Sequence, residues 1–223
     1  MLTIIPTPIG NLKDITLRAL EALRSCDGII CEDTRRTSVL LNHYEIKQPM
    51  MVLNDFNEEK TAPMLLEKLK QGQNFALVSD AGTPLISDPG YKLVKNCLEE
   101  NITVDSLPGP TSVITALTLS GLPPDKFLFL GYLPQKQGKR KSMLEKIMQS
   151  NKILQTTYII FVAPFKLTRT LGDMLEVFGD VEITLARELS KIHQAVEKQK
   201  LSFWMNKLSS QRPKGEIILL FTL

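Results

Sequence analysis

Acidic and basic side chains are concentrated in the segment CEDTRRT, residues 31–37, which follows a short apolar run. A carboxylate such as Glu32 or Asp33 could orient a substrate or help to remove a proton, provided that it faces a cleft. The same residues, together with Arg35 and Arg36, could instead form an exposed ion-pair set, which would add little stability. The segment is therefore a candidate for acid–base chemistry, with an ordinary surface cluster as the alternative.

A second segment, SDAGTPLISDPGY at residues 79–91, combines two acids with several glycines and prolines. Glycine lets a backbone approach a ligand closely, and proline holds that path rigid. Small side chains beside the carboxylate of Asp80 would suit the adenosine or amino-acid end of a cofactor. The segment is also longer than the roughly two to six residues that a plain connection between a strand and a helix needs. We therefore expect it to hold a ligand.

Two further loops rich in proline and glycine also follow apolar runs, PTPIGNLKD at residues 6–14 and LPGPTS at residues 107–112. The first lacks both the GxGxxG pattern of a dinucleotide-binding loop and the GxxxxGK[ST] pattern of a P-loop. It is either a ligand-binding loop or a stiff structural turn. The second leads into a predicted helix, capped at Thr111 or Ser112, whose exposed N–H groups could hold a carboxylate or a ribose oxygen.

Apolar runs of strand length alternate with stretches of helical spacing, which predicts βαβ units and a mostly parallel sheet. Such sheets bind ligands at the carboxyl ends of their strands, where all four loops would lie. The predicted strands of the first half are residues 2–5, 28–31, 51–53, 75–79 and 103–107.

The pattern is interrupted at GLPPDK, residues 121–126, where glycine and two prolines stop the preceding helix. We therefore predict an N-terminal α/β domain over residues 1–120 and a C-terminal α/β domain over residues 121–223. The predicted strands of the second half are residues 127–131, 158–162, 183–186 and 216–221, and its predicted helices lie near residues 142–148, 167–178 and 194–208.

Charge is distributed unevenly along the chain, although the net charge is only +3. Residues 1–120 carry 11 Lys and Arg against 15 Asp and Glu, a net charge of −4, whereas residues 121–223 carry 16 against 9, a net charge of +7. The basic second half could meet a polyanion such as RNA, or its lysines could simply be solvated on helix faces.

The bulk features are those of a protein of the cytosol. No apolar run approaches the roughly 20 residues that span a bilayer, and the N-terminal residues show no basic leader. The three cysteines, Cys26, Cys31 and Cys97, lack the spacing of metal ligands. We therefore expect reduced thiols, no bound metal, no membrane association and a cytoplasmic location.

Eight motifs, in order and with matching spacing, make the chain resemble the tetrapyrrole methylase superfamily, also called class III methyltransferases. More closely, it resembles the bacterial branch that methylates 16S ribosomal RNA, the ribosomal RNA small subunit methyltransferase I family. The motifs are PTPIGNLKDITLRAL (core at residues 7–20), EDTR (32–35), SDAGTPLISDPGY (79–91), LPGP (107–110), GLP (121–123), FLFLGYLP (127–134), ARELSK (186–191) and RPKGE (212–216).

The resemblance implies a two-domain α/β fold, with a mainly parallel sheet in the N-terminal domain, a mixed sheet in the C-terminal domain and S-adenosylmethionine in the cleft between them. It also implies a homodimer that acts on small-subunit ribosomal RNA, free or in the assembled subunit, and methylates the ribose 2′-hydroxyl of a cytidine in the decoding region. The cofactor contacts that it implies are Pro8, Asp80, Ala81, Gly82, Pro84, Thr111, Ser112, Val162, Ala163 and Ala186.

Methylation of a ribose hydroxyl requires the loss of its proton. We expect Glu32 or Asp33 to accept that proton or to orient the sugar, and Arg35 to hold a phosphate. Glu188 and Lys191 in ARELSK are the second choice.

RNA binding is expected from the basic stretch QKQGKRK at residues 135–141, mainly through Lys139, Arg140 and Lys141. Phosphate contacts of this kind provide affinity and little sequence choice. The alternative is a solvated loop that leads into a basic helix start. Possible additional contacts are Arg169, Lys191 and Lys214.

The chain departs from the family pattern at three places. It reads Val162-Ala163-Pro164 where an acidic residue usually precedes the proline, and Leu53-Asn54-Asp55-Phe56 where a His-Glu pair is expected. It also stops soon after RPKGE, so we expect it to lack the C-terminal extension of many relatives. These departures bear on which substrate the chain methylates and on its catalytic efficiency. They leave open a methylase of a tetrapyrrole such as precorrin or uroporphyrinogen, and an inactive protein that binds cofactor and RNA during ribosome assembly.

Overall fold

The five apolar runs of the first half form the strands of one sheet. The computed structural model describes residues 1–210 and 214–223, which form two units, Met1–Thr111 and Ser112–Leu223. In chain order, the first unit contains β1 (Leu2–Ile4), α1 (Leu17–Ser25), β2 (Gly28–Cys31), α2 (Thr34–His43), β3 (Met50–Val52), α3 (Glu58–Lys70), β4 (Phe75–Leu77), α4 (Tyr91–Glu99) and β5 (Val104–Ser106). The strand order is β3-β2-β4-β1-β5, and every neighbouring pair is parallel.

Helices cover both faces of this sheet, which explains why β2 and β4 are apolar at every position. All four residues of β2 and all three of β4 are buried. On one face, Ile29 of β2 belongs to a cluster with Leu23 of α1 and Leu41 of α2. On the other face, Ile30 belongs to a cluster with Leu65 of α3 and with residues of α4. The first unit is therefore a helix–sheet–helix sandwich.

Because all five strands run in the same direction, their carboxyl ends meet at one edge of the sheet. The predicted parallel sheet is confirmed, and each predicted strand of this half lies within two residues of the observed one. The segments that begin at this edge are residues 5–11, 32–33, 53–57, 78–90 and 107–111.

The second unit has a mixed sheet, as the resemblance implied. In chain order, it contains α5 (Ser112–Leu119), β6 (Phe127–Tyr132), α6 (Gln137–Asn151), β7 (Thr157–Val162), α7 (Leu167–Phe178), β8 (Glu182–Arg187), β9 (Ala195–Lys200), α8 (Leu201–Ser210) and β10 (Ile217–Phe221). The strand order is β6-β7-β10-β8-β9, in which β6 and β7 are parallel and all other neighbours are antiparallel.

One face of this sheet carries the core of the second unit. Leu144 of α6, Leu171 of α7 and Trp204 of α8 pack against alternate residues of the central strands, such as Ile160 and Leu219. The residues at the other positions of these strands, such as Ile159 and Leu220, are buried as well, so the centre of this sheet is covered on both faces.

Helix α5 associates with the second unit. It packs against β10, and the Thr184 hydroxyl of β8 donates a hydrogen bond to the carbonyl of Ser120, just beyond the helix, at 3.3 Å. The division between units therefore falls before α5, whereas the sequence places a domain boundary after it, near residue 121. The domain limits stay a prediction.

The helix predicted over residues 194–208 is wrong in its first half. Residues Ala195–Lys200 form the edge strand β9, antiparallel to β8, and only the remainder is helical, as α8. The strand reads AVEKQK; three of its six residues are exposed and none is buried. An edge strand with charged side chains lacks the apolar alternation that predicts a strand, so pairing with β8 decides its conformation.

Within the described ranges 1–210 and 214–223, none of the helices combines the length and apolar character needed to cross a membrane.

Candidate functional site

The loops after β1 and β4 are joined by a short backbone ladder. The N–H of Thr7 donates to the carbonyl of Gly82 at 2.9 Å, and the N–H of Gly82 donates to the carbonyl of Thr7 at 3.0 Å. The Thr7 hydroxyl donates to the carbonyl of Ser79, and the Ser79 hydroxyl donates to that of Gly82, both at 3.0 Å. Gly82 has φ of +90°, which favours glycine. Two of the predicted ligand-binding loops are thus held rigidly together.

The loop after β5 is attached to this joined pair of loops. The Thr83 hydroxyl donates to the carbonyl of Pro110 at 3.0 Å. Gly109 lies so close to Pro6 that an added Cβ would be 2.8 Å from the proline Cβ, so a larger residue would displace the loop. The three loops after β1, β4 and β5 therefore come together, as the parallel sheet predicted.

A cavity of about 290 Å³ opens beside these loops in the first unit. We call it the first-unit cavity. Pro8 and Asp80, two of the residues expected to bind cofactor, contribute to its wall. Its lining residues are Thr7, Pro8, Leu12, Arg36, Thr37, Val39, Leu40, Ser79 and Asp80.

Two side-chain oxygens in the wall of this cavity are buried without a hydrogen bond of normal geometry. Thr37 is only 5% exposed, and its Oγ1 is the first of them; the thiol of Cys31, a weak donor, lies near it. Oδ1 of Asp80 is also buried without a hydrogen bond of normal geometry; the backbone N–H of Asp33 is a donor close to this carboxylate. Buried polar atoms are nearly always paired, since leaving one unpaired costs about 1–3 kcal/mol. The two atoms indicate that the cavity receives a polar ligand.

Thr37 is a site residue that the sequence analysis missed. It lies in α2, and Thr37, Leu40 and Leu41 are the buried residues of that helix. This spacing of three and four marks the inward face of a helix. The spacing was therefore a usable signal, although the more conspicuous charges of the EDTR motif lie just before it.

Asp33 and Arg35 are bound to each other and not to the cavity. Asp33 caps α2, with Oδ1 accepting from the backbone N of Arg35 at 2.9 Å. The guanidinium donates to Oδ1 at 3.0 Å and to Oδ2 at 2.6 Å. These hydrogen bonds lower the pKa of Asp33 to about 2, which makes it a weak proton acceptor. The Arg35 side chain is 89% exposed. It is the next residue, Arg36, that lines the cavity, with its Nε 3.3 Å from Oδ2 of Asp80.

Glu32 has a different environment from Asp33. It is half-buried, and burial, followed by repulsion from Asp80, raises its pKa. Burial also raises the pKa of Asp80, against the opposing effect of Arg36. In the same loop, burial and the charge of Glu32 raise the pKa of Asp88 to about 6. Glu32, Asp80 and Asp88 are therefore less readily ionised than usual, in contrast to Asp33 at the same edge of the sheet.

The other expected cofactor contacts are distributed between the two units. In the first, Ala81 is half-buried, Pro84 is buried and Thr111 ends the unit. In the second, Ser112 begins α5 and Ala186 is fully buried in β8. Val162 and Ala163 line a shallow depression after β7, of about 20 Å³. Their roles as cofactor contacts stay predictions.

The prediction that Arg140 binds RNA is contradicted by its position. Arg140 is 4% exposed. Its guanidinium lies 2.5 Å from a carboxylate oxygen of Asp173 and donates to the carbonyls of Pro134 and Gln135 at 3.1 and 2.9 Å. Every face of the group is occupied, because Arg140 ties the loop after β6 to α7. The basic stretch thus has a structural residue at its centre.

The two lysines that flank Arg140 differ from it and from each other. Lys139 is exposed, whereas Lys141 is half-buried and ion-paired with Glu176 of α7. Their role in RNA binding stays a prediction, with Lys141 partly committed to Glu176.

The second-choice acid–base pair is held in a local network. Lys191 donates to Glu188 at 3.0 Å and to Glu216 at 3.1 Å. Glu188 also accepts from the backbone N of Glu216 at 2.8 Å, which lowers its pKa. These bonds connect ARELSK to the segment before β10. Of the RPKGE motif, Arg212 and Pro213 lie outside the described residues.

The segment that replaces the expected His-Glu pair forms a tight turn into α3. Oδ1 of Asn54 accepts from the backbone N of Phe56 and of Asn57, both at 3.1 Å. Asp55 and Phe56 are exposed. This stretch therefore has a conformational role in this chain.

Cysteine and metal chemistry are addressed by two further findings. Cys26, Cys31 and Cys97 are buried free thiols, and burial raises the pKa of each. Among the residues that the structure describes, no group of three or more His, Cys, Asp or Glu side chains is arranged to hold a metal ion.

Proteins with similar sequences match this chain over nearly its full length. Three curated proteins are each named ribosomal RNA small subunit methyltransferase I. The one from Thermotoga maritima is 44% identical, over 99% of this chain and 97% of its own. Those from Vibrio cholerae and Escherichia coli O157:H7 are each 47% identical, over 99% and 98% of this chain and 76% of their own lengths.

Solved structures share the fold at much lower identity. Diphthine synthase superposes with a TM-score of 0.75 at 14% identity, covering 99% of this chain and 89% of the other. The methyltransferase CobJ superposes with a TM-score of 0.70 at 18% identity, covering 99% and 93%. At such identities the likeness concerns the fold alone, and it confirms the expected architecture.

The family itself follows from sequence. A model of the tetrapyrrole (corrin/porphyrin) methylases matches residues 1–203, and the relatives above are 44–47% identical over almost all of this chain. The chain therefore belongs to the tetrapyrrole methylase family, and within it to the group whose members are named ribosomal RNA small subunit methyltransferase I.

Proposed function

We propose that this chain is an S-adenosylmethionine-dependent methyltransferase that acts on small-subunit ribosomal RNA, at the ribose 2′-hydroxyl of a cytidine. The names of its relatives support the substrate class. The cytidine 2′-hydroxyl is what the motif resemblance implies.

The structural observation that supports the cofactor is the pair of buried oxygens in the first-unit cavity that lack a hydrogen bond of normal geometry. Thr37 Oγ1 and Asp80 Oδ1 can both accept hydrogen bonds. S-adenosylmethionine offers an ammonium group, ribose hydroxyls and an adenine amino group as donors. The residues present therefore fit this cofactor, and the carboxylate of Asp80 suits its positive charge. An anionic dinucleotide would suit them less.

The residues that would hold the cofactor are those of the joined loops. Asp80 and Thr37 would accept its donors, and Pro8, with the backbone of residues 81–84, would shape the wall. When bound, S-adenosylmethionine supplies an activated methyl group. The chain's own contribution is alignment of acceptor and donor, an effect that can reach roughly 7–11 kcal/mol.

Glu32 is the best candidate for the base that accepts the proton of the acceptor hydroxyl. Its raised pKa makes its carboxylate a stronger base than that of Asp33, whose pKa is about 2 because of Arg35. Asp33 instead fixes the start of α2. Arg36, which lines the cavity, is better placed than Arg35 to hold a phosphate near it.

This division of roles predicts unequal effects of two isosteric substitutions. Glu32→Gln should lower the rate of methyl transfer by about 10²- to 10⁴-fold, the usual contribution of a positioned base. Asp33→Asn should have a much smaller effect, and Glu21→Gln, an exposed site on α1, none. Single-turnover methylation at saturating cofactor measures all three. Equal, full rates for Glu32→Gln and Asp33→Asn would contradict the assignment of the base.

The proposed reaction is tested with small ribosomal subunits that lack the modification. They are incubated with the chain and methyl-labelled S-adenosylmethionine, and the labelled position is mapped on the RNA. We expect one 2′-O-methyl group at a decoding-region cytidine. Label on uroporphyrinogen instead of RNA would indicate a tetrapyrrole methylase. Cofactor binding without label on either substrate would indicate an inactive binding protein.

We further propose that the chain acts as a homodimer in the cytoplasm, where its substrate is assembled. Sedimentation at micromolar concentration should give about twice the 25.1 kDa of one chain. A monomer that methylates at full rate would contradict this part of the proposal.

A further inference from the structure

Two exposed aromatic rings lie after the neighbouring parallel strands β6 and β7. Tyr132 is the last residue of β6 and is 60% exposed. A register shift between Phe129 and Tyr132 places it opposite Phe161 of β7. The two rings meet edge to face at a centroid distance of 5.5 Å, and Phe161 meets Phe129 in the same way at 4.8 Å. The ring of Tyr132 therefore packs against Phe161 and remains largely exposed.

The second ring is that of Phe165, which is 79% exposed. It lies in a single 3₁₀ turn, Pro164–Lys166, directly after β7. The ammonium group of Lys166 is 5.4 Å from its ring centroid. A phenylalanine side chain that is this exposed does not stabilise the second unit. An exposed ring beside a cation is instead suited to binding a partner.

Two basic side chains, Lys166 and Arg169, lie near these rings. Tyr132, Lys166 and Arg169 line the same shallow depression. Within residues 1–210 and 214–223, neither Lys166 nor Arg169 forms an ion pair. The nearby acids of α7 are already used, Asp173 by Arg140 and Glu176 by Lys141. The depression itself, at about 20 Å³, holds little more than a water molecule, so a larger partner would lie on this surface.

We propose that Tyr132, Phe165, Lys166 and Arg169, here called the aromatic–basic patch, bind unpaired nucleotides of the RNA substrate, with bases stacking on the two rings and phosphates held by the two cations. This inference rests on the proposed function, since it assigns a surface to that substrate. Stacking on exposed aromatics beside cations is how proteins bind single strands. A base-paired helix does not expose its base faces, so the patch selects single-stranded RNA. The uncompensated positive charge favours a nucleic acid over a protein partner.

The test is RNA affinity in the absence of cofactor, measured by fluorescence anisotropy with a labelled single-stranded RNA of decoding-region sequence. Tyr132→Ala and Phe165→Ala should each weaken binding about 5- to 150-fold. Tyr132→Phe and Phe165→Tyr, which keep a ring, should restore it to within about 2-fold. Lys166→Ala and Arg169→Ala should each reduce the dependence of log affinity on log salt concentration by roughly 0.7, the value per phosphate for a single strand.

Phe203→Ala is the matched control. Phe203 is also exposed and also lies beside a lysine, with Lys207 Nζ 5.5 Å from its ring centroid, but it belongs to α8. Its replacement should leave RNA affinity unchanged. A duplex of the same sequence should bind equally to wild type and to the two ring-deleted variants. Thermal melting checks that each variant is folded.

If the ring-deleted variants are folded and bind single-stranded RNA like wild type, the aromatic–basic patch does not bind unpaired nucleotides. An equal loss in Phe203→Ala would also overturn the proposal, because any exposed ring would then do. Failure of the proposed function is seen separately, in the methyl-incorporation assay. A chain that binds single strands through the patch but methylates no RNA would contradict the proposed reaction and leave the patch standing.

Discussion

The first-unit cavity and the aromatic–basic patch differ in depth, charge and chemistry. The cavity measures about 290 Å³, is lined by the ion pair of Asp80 and Arg36, and contains buried oxygens without hydrogen bonds of normal geometry. The patch surrounds a depression of about 20 Å³, is basic and presents exposed rings. A deep site with fixed polar atoms selects one small ligand, whereas a shallow aromatic surface accepts many bases. The chain thus has a site suited to a cofactor and a surface suited to a polymer.

Both sites nevertheless arise from the same feature of sheet geometry. In the first unit all five strands are parallel, so many loops meet at one edge and enclose a cavity. In the second unit only β6 and β7 are parallel neighbours. Only two loops then emerge side by side, and the result is a shallow surface. The number of adjacent parallel strands therefore governs how deep a site can be.

The largest expected effect concerns Arg140, which lies beside the patch without belonging to it. Arg140→Met leaves the buried carboxylate of Asp173 without its cation and should lower the free energy of unfolding by about 3–5 kcal/mol. Lys139→Met, at the exposed neighbouring position, should change it by less than about 0.5 kcal/mol. Urea denaturation measures both. An Arg140→Met variant with wild-type stability but weakened RNA binding would restore Arg140 to the RNA-binding surface and contradict its structural role.

A smaller effect, with opposite signs for binding and stability, is expected at Thr37. Thr37→Val removes a buried oxygen that has no hydrogen-bond partner, so stability should be unchanged or higher by up to about 1 kcal/mol. Affinity for S-adenosylmethionine should fall by about 2- to 12-fold, the equivalent of one hydrogen bond. Calorimetric titration and urea denaturation supply the two measurements.

Thr157→Val is the contrasting control for Thr37. Thr157 is equally buried, but its hydroxyl donates to the carbonyl of Pro123 at 2.7 Å. This substitution should destabilise the chain by about 1 kcal/mol and leave cofactor affinity unchanged. If Thr37→Val destabilises the chain by as much and binds cofactor normally, Thr37 is an ordinary buried residue and the cavity loses one of its two ligand contacts.

A further contrast is a dependence of stability on pH that differs between the units. In the first unit the pKa of Asp88 is about 6 in the folded chain, above its ordinary value of 3.8. The folded state therefore holds this proton more tightly, and the stability that it contributes is lost as pH rises from about 4 through 6. In the second unit the pKa of Glu188 is lowered by its hydrogen bond from Glu216, so its contribution is lost as pH falls below its ordinary pKa.

Asp88→Asn should remove the loss of stability between pH 4 and 6 that Asp88 causes, and Glu188→Gln should leave that loss in place. Urea denaturation at half-unit intervals from pH 4 to 7.5 measures the difference. Identical profiles for wild type and Asp88→Asn would mean that the Asp88 carboxyl is solvated, and would weaken the contrast between the two units.

Much of the fold could be predicted from the sequence because burial on both faces produces continuous apolar runs. β2 and β4 are visible as GIIC and FAL for this reason. β9 is not visible, because it is an edge strand whose charged residues resemble a helix surface. Loops at the carboxyl ends could be predicted as well, since proline and glycine mark them in the sequence.

The individual roles of charged residues could not be predicted in the same way. Whether Arg35 or Arg36 faces the cavity depends on the rotation of α2, which follows from the cap at Asp33. Burial of Arg140 depends on Asp173, 33 residues away. Such pairings are set by tertiary packing, and they cannot be predicted from a run of basic residues in the sequence.

The reciprocal backbone bonds between Thr7 and Gly82 have a consequence for motion. Their amides lie in loops, yet they are buried and paired as amides in a strand are. We expect both to resist hydrogen exchange far longer than other loop amides, because opening them requires the loops to separate from β1 and β4. A ligand that enters beside them meets a wall that is already ordered. Little conformational entropy is then lost on binding, so affinity can come from few contacts.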